Sequence, residues 1–325
     1  MYPRIKKYQQ WLEQELEKQR FGSSPDSLYE PIRYIMTLGG KRLRPMLTLL
    51  SYSLFRDDVK RVVPYALAIE SFHNFTLMHD DIMDKAPLRR GKETVHEKWN
   101  TNTAILSGDV MLIKVYDMFL DLESQQLKTV LASFNKCAAE VCEGQQWDMD
   151  FETTERVSEK QYLEMIRLKT AVLLGFSLEL GAILADARPA DQKALRDFGT
   201  NIGIGFQLKD DLLDAFADPK KFGKQVGGDI IANKKTYLLI KALEKAESKT
   251  KKELSFWLQA KKFRKTEKVR AVKQIFESLD IPAIINRKVD YFFSKGYERL
   301  DQVAGIGGRV ELLRKYTRDL IERQS

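Results

Sequence analysis

The chain carries the same unfavourable pattern twice: two adjacent aspartates, two apolar residues and a third aspartate. The copies are Asp80–Asp84 and Asp210–Asp214, and each ends a long stretch with apolar residues at every third or fourth position. On a helix, the first and third aspartates stand one turn apart on one face, where like charges repel. The negative end of the helix dipole destabilises each of these carboxylates by about a further 0.3–1 kcal/mol. A surface Asp-Asp pair at a helix end is common, but two copies of the pattern favour a fold in which bound cations offset the repulsion.

Helical spacing also runs through most of the remaining chain, for example at Leu49, Leu50 and Leu54. The alternation typical of strands is nearly absent. We therefore predict an all-α fold of roughly ten or more helices, in which no stretch needs a strand. The charged N-terminal residues do not resemble a secretion signal, and no run of about 18 apolar residues occurs. We expect a cytoplasmic protein without stable membrane insertion.

The net charge of +8 suggests an anionic partner, which could be a nucleic acid, an acidic membrane or a phosphorylated small molecule. Much of the excess lies in Lys249–Gln274, which is most simply a solvated helical face. Charge alone therefore does not select a function. The two cysteines, Cys137 and Cys142, fit neither a disulfide framework nor a zinc site.

The aspartate clusters predict a metal site. Mg²⁺ is commonly held by a few carboxylates while it shares phosphate oxygens, so two facing clusters would clamp a diphosphate. The basic residues fit the same interpretation. Lys41 and Arg44 follow a glycine turn at the start of an apolar helix, where free backbone N–H groups favour an anion. Arg89 and Arg90 follow the first cluster closely and can meet further phosphate oxygens.

With these features together, the chain resembles the trans-isoprenyl diphosphate synthases, or polyprenyl synthetase family. The matching segments occur in family order between Gly39 and Thr236 and read GGKRLRP, HNFTLMHDD, RRG, GQQWD, RLKTA, FQLKDDLLD, GKQVGGDI and NKKT. The resemblance implies the isoprenoid synthase fold, a single domain over residues 1–325 that forms one large helical bundle around a central active-site cavity. Members of the family are generally homodimers.

The resemblance also implies roles for individual residues. About three Mg²⁺ ions would be held by Asp80, Asp84 and Asp210, with Asp81, Asp148, Asp211 and Asp214 in support. The allylic diphosphate would be gripped by Arg89, Lys169, Lys224 and Lys234. Isopentenyl diphosphate would be bound by Lys41, Arg44, His73 and Arg90. The catalytic set would comprise Lys169, Thr170, Gln207 and Lys224, in which Thr170, Gln207 and the carbonyl of Lys169 stabilise an allylic cation.

The implied reaction is head-to-tail (1′–4) condensation of isopentenyl diphosphate with an allylic diphosphate, with released pyrophosphate as the base. Side chains before the first cluster, at Phe72, Phe75 and Thr76, point down the same helix face and would line the product pocket. Phe75 resembles the aromatic stop of short-chain synthases, whereas Thr76 is small. We expect a C15–C20 product and favour C20; the alternative is that Phe72 and Phe75 are ordinary core residues.

Other functions fit less well. A terpene cyclase shares the fold and the first motif but needs no second diphosphate site, and head-to-head synthases lack the GGKRLRP segment. A catalytically silent subunit of a heteromeric synthase would not need aspartates in both motifs. A nucleic-acid-binding protein would gain nothing from the acidic clusters.

Overall fold

The structure is a computed structural model that describes residues 3–217 and 227–322. Its helices are α1 (Pro3–Lys18), α2 (Asp26–Thr37), α3 (Leu43–Ser53), α4 (Val63–Met83), α5 (Val95–Lys98), α6 (Thr101–Asp117), α7 (Ser124–Thr153), α8 (Glu159–Ile166), α9 (Val172–Leu184), α10 (Pro189–Phe216), α11 (Gly228–Ala232), α12 (Tyr237–Lys245), α13 (Ser248–Gln259), α14 (Lys265–Ser278), α15 (Ile281–Leu300) and α16 (Arg309–Glu322). A 3₁₀ turn (Val59–Val62) precedes α4, and one π-helical turn (Arg167–Ala171) joins α8 to α9. The predicted all-α class is confirmed. Within the described ranges, no helix is both long and apolar enough to cross a bilayer.

One short hairpin contradicts the expectation that no stretch needs a strand. Strand β1 (Leu88–Arg89) pairs antiparallel with β2 (Lys92–Glu93). The two turn residues, Arg90 and Gly91, have φ angles of 53° and 74°. Positive φ at both central residues is what a tight two-residue hairpin requires. The paired segments are too short to show the alternation of apolar and polar residues that is typical of strands. The turn directs the side chains of Arg89 and Arg90 to different partners.

The backbone forms two compact units. The first comprises the residues up to Asn135 together with Phe176–Lys193 and Ala304–Arg309. The second comprises Lys136–Gly175, Ala194–Val303 and the residues from Val310 onward. A single domain over residues 1–325 therefore stays a prediction.

Helix α4 is the buried centre of the first unit and packs against α1, α3 and α6. Its residues from Ala66 to Phe72 are all buried, as expected of a helix that is apolar on nearly every side. Glu70 is the charged exception, and its carboxylate accepts a hydrogen bond from Arg42 at 2.8 Å. Arg42 is itself 7% exposed and also donates to the carbonyl of Met36 at 2.9 Å. This buried ion pair fixes the loop that leads into α3.

A close backbone approach organises the second unit. A Cβ atom on Gly144 of α7 would lie 2.1 Å from the backbone nitrogen of Lys169, which belongs to the π-helical turn. No side chain fits between the two backbones, so glycine is required. The contact places Asp148, one turn further along α7, beside the Lys169 side chain.

We predict that Gly144→Ala lowers the free energy of unfolding by about 1–3 kcal/mol because the new methyl group overpacks the contact. This loss should appear even though alanine gains about 1 kcal/mol of helix propensity over glycine. Urea unfolding monitored by circular dichroism measures the change. Gly307→Ala is the matched control, since a Cβ there meets nothing within 4 Å. A Gly144→Ala protein as stable as the parent would contradict the prediction.

Candidate active site

The first aspartate motif lies at the C-terminal end of α4. Asp80 is partly exposed and Asp84 is exposed, whereas Asp81 is only 2% exposed. The Arg89 guanidinium, positioned by the hairpin, donates to both Asp81 oxygens at 2.7–2.9 Å. Burial raises the pKa of Asp81, although Arg89 acts in the opposite direction. The middle aspartate is thus held inside the protein, and its two neighbours in the motif face outward.

The second motif, at the C-terminal end of α10, shows the same division. Asp210 is exposed, whereas Asp211 is 5% exposed. The Tyr162 hydroxyl donates to one oxygen of Asp211, and the Gln207 amide donates to the other at 3.1 Å. Burial, aided by the charge of Asp229, raises the pKa of Asp211 to about 7. The middle aspartate is again an internal anchor.

Asp214, the third aspartate of this motif, is half-buried, and its carboxylate accepts from the backbone N–H of Asp229 at 3.1 Å. Asp229 lies in the first turn of α11 and belongs to the GKQVGGDI segment, in which the resemblance implied a role for Lys224 but none for Asp229. The backbone around α11 therefore sets the position of this carboxylate.

Two lysines meet one carboxylate in the second unit. Asp148 of α7 accepts from Lys169 at 2.7 Å and lies 3.5 Å from the Lys234 ammonium. Burial alone would raise the pKa of Asp148, but the charges of Lys234 and Lys169 outweigh it and lower that pKa. Next to Lys169, the Thr170 hydroxyl donates to Gln207 at 3.3 Å. Three of the residues assigned to the catalytic set thus belong to a connected network.

The predicted isopentenyl diphosphate residues meet in the first unit. An Arg44 nitrogen lies 3.1 Å from Nε2 of His73. Burial, with the charges of Arg44 and Arg90 added, lowers the pKa of His73 well below its usual value, so the neutral ring accepts from Arg44. Arg90 donates to the carbonyl of Gly39, in the loop that also carries the exposed Lys41. The structure therefore groups Arg44, His73 and Arg90 around this loop.

Aromatic rings follow the first motif toward the interior. Phe75 packs edge-on against His79 with a centroid distance of 4.8 Å and lies 5.6 Å from Phe72. Phe72 meets Phe134 of α7 at 5.1 Å, and Phe134 in turn contacts further rings of the first unit. Thr76 donates to the carbonyl of His73 at 2.8 Å. Phe75 is therefore the member nearest to Asp80 of an aromatic layer whose rings meet edge-on or tilted.

One predicted site residue cannot be compared with the structure. Lys224 falls outside the described residues. Tyr162 was missed by sequence reasoning, because nothing in its neighbourhood marks it as the partner of an aspartate 49 positions away. Glu70 is an isolated acid in an apolar helix, and this pattern could have predicted a buried basic partner, which the structure identifies as Arg42.

Comparison with known proteins agrees with this geometry. The profile of the family described as Polyprenyl synthetase matches residues 25–278, a wider range than the motifs alone. The short chain isoprenyl diphosphate synthase of Methanocaldococcus jannaschii is 40% identical over 265 residues, 81% of each chain. The geranylgeranyl diphosphate synthase of Methanosarcina mazei is 42% identical over 68% of this chain and 69% of its own. A crystal structure of a geranylgeranyl pyrophosphate synthase matches with a TM-score of 0.95 and 42% identity over 100% of both chains. The chain therefore belongs to the polyprenyl synthetase family of prenyltransferases.

Proposed function

We propose that this chain condenses isopentenyl diphosphate with allylic prenyl diphosphates to give a C20 trans-prenyl diphosphate and pyrophosphate. The repeated arrangement of the two aspartate motifs carries the proposal. Each motif presents an outward aspartate and anchors its middle aspartate to a neighbouring side chain. Relatives named as short chain isoprenyl and geranylgeranyl diphosphate synthases support the same reaction class.

The donor set fits Mg²⁺. Asp80, Asp84 and Asp210 offer outward carboxylates, the ligand type that Mg²⁺ prefers. Among the described residues, no three His, Cys, Asp or Glu side chains form a group that could hold a metal ion by themselves. We assign Asp81 and Asp211 to orienting roles because both are buried and hydrogen-bonded. Bound Mg²⁺ would neutralise charge on the departing pyrophosphate.

The allylic diphosphate is assigned to Lys169, Lys234 and Arg89, with Lys224 as a further prediction. Asp148 holds the two lysine ammonium groups close together. An ammonium has three N–H donors, so each lysine can keep Asp148 and still donate to a phosphate oxygen. Preorganised cations of this kind favour the charge that develops as the C–O bond breaks.

Isopentenyl diphosphate is assigned to Lys41, Arg44, His73 and Arg90. Neutral His73 accepts from Arg44 and so orients its guanidinium, a group whose planar set of N–H donors matches phosphate oxygens. Because these residues are all cationic or neutral, they bind a diphosphate without a metal ion.

Bond breaking at the allylic carbon gives pyrophosphate and an allylic cation. The Thr170 hydroxyl, the Gln207 amide and the carbonyl of Lys169 present electron-rich oxygens without a strong nucleophile. The double bond of isopentenyl diphosphate attacks the cation and forms the new C–C bond. A proton then leaves the resulting cation for pyrophosphate, which restores the double bond.

The aromatic layer supports a product of limited length. A chain that grows past Asp80 along α4 meets Phe75 first, and Phe72 with Phe134 lies behind it. We favour C20 over C15 because Thr76, next to Phe75, has a small side chain that lets a longer prenyl chain pass.

A homodimer is also proposed. Ile105, Leu106 and Ile113 on α6 are 40%, 57% and 59% exposed, which supports a protein partner on that helix.

We predict that activity disappears in EDTA and returns with Mg²⁺, and that Asp80→Asn and Asp210→Asn each lower kcat by about 10²–10³-fold. Each substitution removes one negative charge while the side-chain volume is kept. Incorporation of labelled isopentenyl diphosphate measures the effect. Asp290→Asn, at an exposed acid on α15, is the control and should keep full activity. Full activity of both motif variants would contradict the proposed metal sites.

We predict that Phe75→Ala lengthens the main product by one or more isoprene units because the first ring of the layer is removed. The remaining Phe72–Phe134 contact should still stop the chain, so a broad distribution of very long products is not expected. Chromatography of the hydrolysed prenyl alcohols gives the length. Phe256→Ala, at a phenylalanine 62% exposed on α13, should leave the product unchanged. An unchanged product with Phe75→Ala would mean that Phe75 is only a core residue.

A further inference from the structure

A lysine lies buried inside the second unit, on α14. Lys268 is 1% exposed, and its ammonium donates to the side-chain oxygen of Asn233 at 2.6 Å and to the carbonyl of Ile231 at 3.3 Å. Both acceptors are neutral, and burial lowers the pKa of Lys268. Burying an ammonium opposes folding. A methionine would fill similar space without that cost, so what distinguishes lysine here is its ammonium group, which supplies the hydrogen-bond donors and also lies 4.3 Å from the centroid of the Phe263 ring.

These donors close the C-terminal end of α11. Asn233 caps this helix in the left-handed conformation, with φ 56° and ψ 31°. While its side-chain oxygen accepts from Lys268, its amide nitrogen donates to the carbonyl of Leu258 at 3.0 Å. The cap residue is thus held from two sides, and the direction in which the chain leaves α11 is set.

The residue after this cap, Lys234, is a proposed ligand of the allylic diphosphate. The backbone N–H of Lys234 folds back to the carbonyl of Asp229 at 2.9 Å, and its ammonium lies 3.5 Å from Asp148. A shift of the cap would therefore move the Lys234 ammonium away from Asp148 and Lys169.

The N-terminal end of α11 is held by the same helix. A Cβ on Gly227 would lie 2.7 Å from both methyl groups of Val269, the residue after Lys268. Gly227 donates to the backbone carbonyl of Asp214 at 2.6 Å, and Asp229 donates to the Asp214 carboxylate at 3.1 Å. Helix α14 thus supports both ends of α11, one beside the second aspartate motif and the other beside Lys234.

We propose that Lys268 is a positioning residue for the allylic diphosphate and its metal ions. It acts through Asn233 and α11 on Lys234 and Asp214. The inference rests on the proposed function above. Because Lys234 and Asp214 are assigned to the allylic diphosphate and its metal ions, Lys268 should affect these ligands more than isopentenyl diphosphate.

Lys268→Met tests the proposal. We expect the KM for geranyl diphosphate and the Mg²⁺ concentration for half-maximal activity to rise about tenfold, as for other residues that orient ligands. The KM for isopentenyl diphosphate should change less than about twofold. The affinity for unreactive geranyl thiodiphosphate in the presence of Mg²⁺, measured by calorimetry, should fall by the same factor as the KM rises. This measurement does not depend on turnover. Lys265→Met, at an exposed lysine on the same helix, is the matched control.

Asn233→Ala provides a second route, because it removes the acceptor and leaves Lys268 in place. It should weaken binding of the same two ligands, and the double variant should be no worse than the weaker-binding single variant. Thermal unfolding confirms that the variants are folded. Should Lys268→Met fail to fold, Asn233→Ala decides the question alone. Equal losses for both substrates, or unchanged allylic binding in a folded variant, would overturn the proposal. An inactive parent protein would instead refute the proposed function.

Discussion

Repulsion between closely spaced carboxylates is the constraint on which the site depends, and the protein meets it in the same way twice. In each motif the middle aspartate is buried and hydrogen-bonded, to Arg89 in one unit and to Tyr162 with Gln207 in the other. This anchors the end of α4 or α10, and the outer carboxylates are the proposed ligands of metal ions. The anchors differ chemically, since one is a cation and the other two are neutral donors. Burial, aided by the charge of Asp229, raises the pKa of Asp211 to about 7.

Around these anchors, most cations are held by a partner that fixes their direction. Asp148 gathers Lys169 and Lys234, and neutral His73 orients Arg44. The proposed diphosphate ligands are thus already oriented, which would reduce the side-chain ordering that opposes binding. The buried Arg42–Glu70 pair likewise fixes the loop before α3, which carries the proposed ligand Lys41.

Spacing was sufficient to predict the helical class, whereas the roles of the aspartate motifs and of the basic residues stay predictions. Local sequence could not show the contacts that position them. Tyr162 reaches Asp211 across 49 residues, and the hairpin at Arg90 is set by two backbone angles. The segment Lys249–Gln274 was interpreted as a solvated face, which is wrong at Lys268 because that side chain is buried beneath α11. Charge patterns identify what a site can bind, whereas burial decides which charges are available to bind it.

The central claim is that the two motifs together activate an allylic diphosphate for condensation. Its most direct test supplies purified protein and Mg²⁺ with labelled isopentenyl diphosphate and, in turn, dimethylallyl, geranyl or farnesyl diphosphate. The products are hydrolysed to alcohols and sized by chromatography. Geranylgeraniol as the main end point is the predicted result, and farnesol would place the limit of the pocket nearer to Asp80. No condensation with any starter, in protein shown to be folded, would contradict the account and favour a catalytically silent subunit.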